Sequence, residues 1–252
     1  MTIHTSLPEL TEGLRKLKLS GMQDCLKART EEAITNQMSH VEFLTLLTQD
    51  EILSRSQRLY DRRYKKANFK GAKTIESFDF RFNPKINQAM IRDLATCRFI
   101  KEKYPVLIMG PCGTGKSHIA QALGHCALQQ GYEVLCTTQV KLSEEIQAAK
   151  ATLSYRRKMK ALAKLPLLII DDFGLKPLRS PQDEDLHELI AERYEQATTV
   201  VTSNLALSEW QQAFANQLLG IATIDRLQHN AYQVILEGKS YRSVKTGSKQ
   251  EK

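Results

Sequence analysis

Residues 109–120 read MGPCGTGKSHIA, directly behind the apolar run PVLIM at 105–109. Gly110 to Ser117 fit the spacing G-x-x-x-x-G-K-[ST], with a strand pattern before it and the helix pattern SHIAQALGHCALQQ after it. Glycines let the backbone curl until successive N–H groups face one concavity, and the following helix adds the positive end of its dipole. The stretch predicts a triphosphate cradle built from Gly110, Pro111, Cys112, Gly113, Thr114, Gly115, Lys116, Ser117 and His118. Lys116 supplies a point charge for the β- and γ-phosphates, and the Ser117 hydroxyl a ligand for Mg2+. A glycine-rich turn without a ligand is the plain alternative, and the flanking strand and helix weigh against it.

Such a site needs an acid at the end of a neighbouring buried strand, and LLIIDD at 167–172 supplies one. Asp171 is expected in the metal shell, and Asp172 is expected to orient the attacking water as a general base. Two aspartates after a strand also suit a turn or a helix cap, so this assignment leans on the phosphate loop upstream. Asp172-Phe173-Gly174 spells the metal triad of protein kinases too, but no H-R-D loop or V-A-I-K lysine accompanies it. Asn204 closes the strand pattern TTVVTSN, where its amide is a candidate for the attacking water; Ser203-Asn204 is equally a turn or N-cap pair. Arg226, in TIDRLQHNA, ends a helical stretch and is a candidate γ-phosphate contact, or else a surface ion pair with Asp225.

Outward from the loop, short apolar strands alternate with amphipathic helices from about residue 85 to AYQVILEG at 231–238. A long helical region is expected over 141–165. This alternation predicts a doubly wound α/β domain with a parallel sheet covered on both faces. The first seventy residues read as helix instead: Leu10, Leu14 and Leu17 recur at helical spacing, as do Phe43, Leu46, Leu47, Ile52, Leu53 and Leu59. Ser39 and Glu42 fit a capping box. The expected organisation is a small helical domain over 1–68, a nucleotide-binding domain over 69–243 with a linker at 69–84, and a basic tail over 244–252. No apolar run is long enough to span a bilayer, and the N-terminus lacks a signal pattern, so a cytoplasmic protein that binds no membrane is expected. The five cysteines form no C-x-x-C pair, which argues against a disulfide framework or a zinc site.

The 252 residues carry a net charge of +8, which suits a polyanionic partner. The charge is clustered. Arg55, Arg58, Arg62, Arg63, Lys65, Lys66, Lys70 and Lys73 stand against Asp61 alone. Lys150, Arg156, Arg157, Lys158, Lys160 and Lys164 occupy a stretch with no acid at all, where the apolar period of Leu142, Ile146, Ala149 and Leu153 stops. Cations without intervening acid suit a surface that tracks a nucleic-acid backbone, and nothing here suggests base reading. A solvated helix face is the other account. The 55–73 cluster suits a second DNA surface or a subunit contact equally well.

With these pieces in place the chain resembles the AAA+ ATPases: GPCGTGKS, IIDDFG and the strand ending TSN stand in the order of Walker A, Walker B and sensor one. More narrowly it is similar to the IstB-like group, helper ATPases of bacterial insertion sequences close to the helicase loader DnaC. That likeness rests on LLIIDDFGLKPL, VVTSNLALSEW, IATIDRLQHNA, ILEGKSYR and LKLSGM, and it spans nearly the whole chain. It implies ATP and Mg2+ as cofactors and a pocket shared between subunits. Lys116, Ser117, Asp171, Asp172 and Asn204 would act in cis, Arg226 as a finger in trans, and Arg242 as a second sensor. It further implies an ATP-dependent homo-oligomer on double-stranded DNA that presents the target to a cognate transposase. Asp172 stands where many AAA+ proteins carry Glu, which implies slow hydrolysis. A helicase loader, an ATP-gated DNA clamp with incidental hydrolysis, and a small-molecule kinase are the competing readings.

Overall fold

The computed structural model describes residues 7–238, 240 and 241. The chain divides into two compact units, Met1–Arg62 and Arg63–Lys252.

The first unit is helical: α1 (Leu7–Lys16), α2 (Ser20–Thr35) and most of α3 (His40–Ala67). Gly21 sits where α2 meets α3, and a Cβ there would strike the Glu51 backbone and the Ser54 side chain, so only glycine allows this approach. The space is used by Glu51. Its buried carboxylate accepts from the N–H of Gly21 at 2.6 Å and of Met22 at 3.1 Å, and from the Arg55 guanidinium at 2.6 Å. The first-turn amides of α2 thus find their acceptor on another helix, which accounts for the motif LKLSGM. At the start of α3, Ser39 and Glu42 exchange backbone-to-side-chain bonds as a capping box. Leu47 is buried, whereas Ile52 and Leu53 of the expected apolar period remain exposed.

The second unit holds α4 (Gln88–Ala95), α5 (Arg98–Glu102), β1 (Val106–Met109), α6 (Lys116–Gln129), β2 (Val134–Thr138), α7 (Gln139–Ala151), α8 (Tyr155–Lys164), β3 (Leu167–Phe173), α9 (Gln182–Arg193), β4 (Thr198–Ser203), a 3-10 turn (Leu207–Ala213), α10 (Gln217–Gln228) and β5 (Tyr232–Ile235). The five strands are parallel in the order β2-β3-β4-β1-β5. Successive side chains of a strand point to opposite faces. Ile169 reaches toward Gly124 of α6 on one face. Leu168 and Ile170 on the other pack with Leu142 and Ile146 of α7, Leu162 of α8, and Leu186 and Leu189 of α9. Helices therefore cover both faces, the doubly wound arrangement.

The expected long helix over 141–165 is two helices. The apolar stripe runs out after Ala149, and the chain turns at Thr152–Ser154 with Leu153 at φ 54°. The stretch INQAMIRDLATCRFI at 86–100, helical in its pattern, is likewise broken at Cys97, where φ is 59°. Segment 69–84, expected as a linker, holds no helix or strand, and its side chains line the phosphate loop, as described below.

Gly21→Ala is expected to destabilise the helical unit by about 1–3 kcal/mol, as a tight contact is overpacked. Burial pushes the Glu51 carboxyl up, but Arg55 and the two amides outweigh it and hold it below its ordinary value. The stabilisation it gives is therefore present above about pH 4.5 and falls away below it. Urea melts of wild type and Glu51→Gln between pH 3 and 7 would check this, because the glutamine variant should lose that part of the pH dependence.

Candidate functional site

The phosphate loop leaves the C-terminal end of β1, at the end of the strands where parallel sheets bind ligands. Gly110, Gly113 and Gly115 all take positive φ. At Gly110 a Cβ would collide with the carbonyl of Leu236, so the turn out of β1 passes too close to the end of β5 for any other residue. Gly115 begins α6 without a capping side chain, which leaves the first-turn amides to an anion. The buried Lys116 ammonium donates to the carbonyls of Gly110 and Pro111, each at 2.7 Å, and the Thr114 hydroxyl to Pro111 at 2.9 Å. The lysine thus lies along the loop that it is expected to serve.

Ser117 Oγ donates to Asp171 Oδ1 at 2.8 Å, and Thr202 Oγ1 donates to the same oxygen at 2.5 Å. β4 lies between β1 and β3, so the acid strand reaches the loop across it. In a regular strand Asp171 and Asp172 would point to opposite faces. Here the register with β4 slips between Ile170 and Phe173, and Asp172 takes φ 57° while its N–H donates to Thr202 Oγ1 at 3.1 Å. This bulge brings both carboxylates to one cavity.

That cavity, of about 540 Å³, is lined by Cys112 through His118, Asp171, Asp172 and Asn204. Gly110 and Pro111 serve as backbone behind it. Its remaining walls were not legible as site residues, and they include Lys70, Lys73, Phe78, Asp79 and Asn83 from the 69–84 segment, Gln121 from α6, and Tyr241. His118 Nε2 bonds the Thr74 carbonyl at 2.8 Å and meets Ser77 Oγ at 3.2 Å, and the Phe78 ring lies against Gly115. The buried Gln121 accepts from the N–H of Lys70 at 3.0 Å. Helix α6 therefore fixes the segment in front of the loop. An alternation of apolar residues around a glycine and a proline gives no phosphate signature, so only the contacts reveal this wall.

An adjacent hydroxyl and carboxylate suit a hard cation that keeps waters and substrate oxygens as its other ligands. Among the described residues no group of three or more His, Cys, Asp or Glu side chains is arranged to hold a metal.

Arg226 is elsewhere. It bonds the Ala222 carbonyl at 2.8 Å and lines a recess of about 290 Å³ with Pro105, Tyr194, Thr199 and His229. Pro105 and Thr199 lie at the N-terminal ends of β1 and β4, and the phosphate loop lies at the other end of β1, roughly 13 Å of strand away. Arg242 and the 244–252 tail lie outside the described residues.

Of the basic residues at 150–164, Arg156, Arg157, Lys160 and Lys164 are exposed on α8. Lys150 and Lys158 correct the expectation of cations without acid nearby. Lys150 is 2.6 Å from the buried Asp185 of α9, and Lys158 is 2.6 Å from Glu145 of α7. Those acids come from neighbouring helices, out of sight of the local sequence. Arg193 of α9, fully buried, donates to the carbonyls of Leu162 and Leu165 at the end of α8, and to Thr199 Oγ1 at 2.9 Å. Burial pulls its guanidinium down to about 9.

The chain matches the family model "IstB-like ATP binding protein" over residues 12–249. It is 36% identical over 239 residues to a Mycobacterium tuberculosis protein named for ATP binding in an insertion sequence, covering 93% of this chain and 94% of that one. It is 34% identical over 238 residues to the ATP-binding protein of insertion sequence IS232 of Bacillus thuringiensis, covering 94% and 95%. Among solved structures, DnaI aligns with a TM-score of 0.56 at 17% identity, over 65% of this chain and 90% of DnaI. The DnaC helicase loader gives 0.52 at 17%, over 69% and 98%. The fold is that of the AAA+ P-loop proteins.

Cys112 is the exposed thiol of the loop, whereas burial pushes Cys97 and Cys136 up to about 12. N-ethylmaleimide is therefore expected to abolish binding of a fluorescent ATP analogue, with prior ATP protecting. If Cys112→Ala is blocked just as readily, the adduct is not acting at the loop.

Proposed function

The chain belongs to the IstB-like ATP-binding protein family, and on that footing we propose that it is a Mg2+-dependent ATPase. In this reading it assembles on double-stranded DNA with little sequence preference and assists a cognate transposase in choosing and presenting the target. The observation that carries the ATPase is the single cavity shared by Lys116, Ser117, Asp171, Asp172 and Asn204.

The roles follow from position. Lys116 leaves the loop carbonyls for the β- and γ-phosphate oxygens, a stronger charge-assisted partner. Mg2+, held by Ser117 with Asp171 beside it, would neutralise charge on those same oxygens. Asp172 accepts the proton of the attacking water as its oxygen bonds to the γ-phosphorus and the bond to ADP breaks. Asn204 orients that water. Asp172 is one methylene shorter than a glutamate, which supports slow turnover. Arg226 cannot serve the loop at the opposite end of its own sheet. It fits instead a neighbouring copy whose phosphate loop docks there, and this supports an ATP-dependent homo-oligomer with the finger in trans.

DNA contact is assigned to Arg156, Arg157, Lys160 and Lys164, which share α8 and face solvent. Such contacts go to phosphates and carry no sequence information.

Gel shifts and negative-stain microscopy on duplex and single-stranded DNA, with no nucleotide, ATP or ADP, test the whole reading. Large assemblies on random duplex with ATP, absent in Lys116→Ala, are the expected result. Binding confined to single strands, or requiring a hexameric helicase, would move the chain to helicase loading. Asp172→Asn should bind ATP normally and lose about a hundredfold or more in turnover. If wild type turns over no ATP with duplex present, nucleotide acts as a gate alone.

A further inference from the structure

The segment at 69–84 carries two cations into the nucleotide cavity. Lys70 and Lys73 both line it, and Lys70 also closes a smaller recess of about 70 Å³ shared with Asp171, Thr137, Thr138 and Lys141. The backbone that presents them is pinned on each side. Asn68 Nδ2 donates to the Cys136 carbonyl at 3.4 Å. The Phe69 ring stacks on His125 with centroids 4.3 Å apart, and it fills the space that a Cβ at Gly124 would take. The N–H of Lys70 donates to the buried Gln121, and the Thr74 carbonyl is held by His118. Gly124, Gln121 and His118 all belong to α6, so the helix that begins at Lys116 also fixes where the two other lysines start.

Their side chains have no comparable anchor. Lys70 is exposed and Lys73 half-buried, and neither ammonium forms an ion pair among the described residues. Asp79, the acid on the same wall, accepts instead from the N–H groups of Arg81 and Phe82 at 3.0 and 3.3 Å. Both lysine charges lie toward the acid strand. Burial pushes the Cys136 thiol up and the charge of Asp171 adds to this, while Lys70 and Lys73 pull it the other way. Cys136 stands two residues before Thr138, which pairs with Asp171 across the sheet. The later part of the segment serves the other side of the loop, with Phe78 against Gly115 and Asn83 bonded to the Glu237 carbonyl beyond β5.

A triphosphate with one Mg2+ is still dianionic, and Asp171 and Asp172 bring two further negative charges into the same cavity. Lys116 offsets only one of these charges. Phosphoryl sites are built by clamping such charge with fixed cations, which are strong partners for phosphate oxygens. We propose that Lys70 and Lys73 close on the terminal phosphate of ATP from within the same subunit, so that segment 69–84 is the element by which the chain tells ATP from ADP. The inference rests on the ATPase reading above and adds two phosphate-binding residues to it. With ADP bound, the ammonium groups lose that partner while α6 keeps their backbone in place.

The test uses the full chain with Mg2+ and a fluorescent nucleotide displaced by ATP or by ADP. Lys70→Gln and Lys73→Gln should each shift the ATP-to-ADP affinity ratio about tenfold toward ADP, the worth of one charge-assisted hydrogen bond. ADP affinity itself should hardly change, which also shows that the pocket is folded. Lys141→Gln, which removes a cation from the small recess alone, should leave the ratio as it is. Equal loss of ATP and ADP in the Lys70 and Lys73 variants would place these lysines on phosphates common to both nucleotides and overturn the proposal. An equal shift in Lys141→Gln would reduce the effect to the general field of the surface, and overturn it too. If wild type binds and hydrolyses ATP while both variants keep its ratio, the clamp is wrong and the ATPase reading stands. If wild type binds neither nucleotide, both fall.

Discussion

One carboxylate oxygen, Asp171 Oδ1, accepts from Ser117 at the start of α6 and from Thr202 in β4. These bonds tie the acid strand, the strand beside it and the phosphate-loop helix at one point. The arrangement is available because β4 lies between β1 and β3, so that a short hydroxyl on β4 meets the acid from one side while the loop comes round from the other. The bulge that turns Asp172 into the same cavity uses the same hydroxyl, as acceptor for the Asp172 N–H. Thr202, buried at the start of the TSN stretch, thereby holds both aspartates in place.

What was legible in the sequence follows from the range of the interactions involved. The loop, its strand and its helix are local, and G-x-x-x-x-G-K-S records the backbone geometry directly. The parallel sheet was legible because strands buried on both faces read as continuous apolar runs. Thr202 was not, since a threonine in a β-branched strand reads as propensity. Nor was the wall at 70–83, whose role depends on Gln121 and His118 holding it from α6. The break after Ala151 was missed because a leucine occupies the position where a glycine would have announced the end of the helix.

The basic stretch shows a different limit. Six cations in fifteen residues read as uniform charge, and the fold sorts them into two kinds. Lys150 and Lys158 meet acids of α9 and α7, and so hold the helical layer together. The four on the outer side of α8 remain exposed. Asp185 decides part of this division: buried beneath the turn, it is matched by Lys150 with the help of Gln147 and the Tyr155 hydroxyl, which burial, and then its bonds to Glu188 and Asp185, push well above the usual tyrosine range. A cation that satisfies a buried acid is unavailable to a ligand, whatever its place in the sequence.

The same helical layer sits between the two ends of the sheet. α9 carries Asp185 under the α7–α8 turn, and at its other end Arg193, whose guanidinium takes the last carbonyls of α8 and lines the recess of Arg226. α8 is therefore fixed at its start through Tyr155 and at its end through Arg193, by one helix. In the proposed assembly a neighbour's nucleotide would lie against Arg226, so the shared helix offers a short mechanical path from that nucleotide to the exposed cations of α8. The path runs through hydrogen bonds to backbone carbonyls and a buried carboxylate, which allow little slack. A shift of α9 would tend to carry α8 with it, because separating them would strip the buried Arg193 Nη1 of its carbonyl partners at the end of α8.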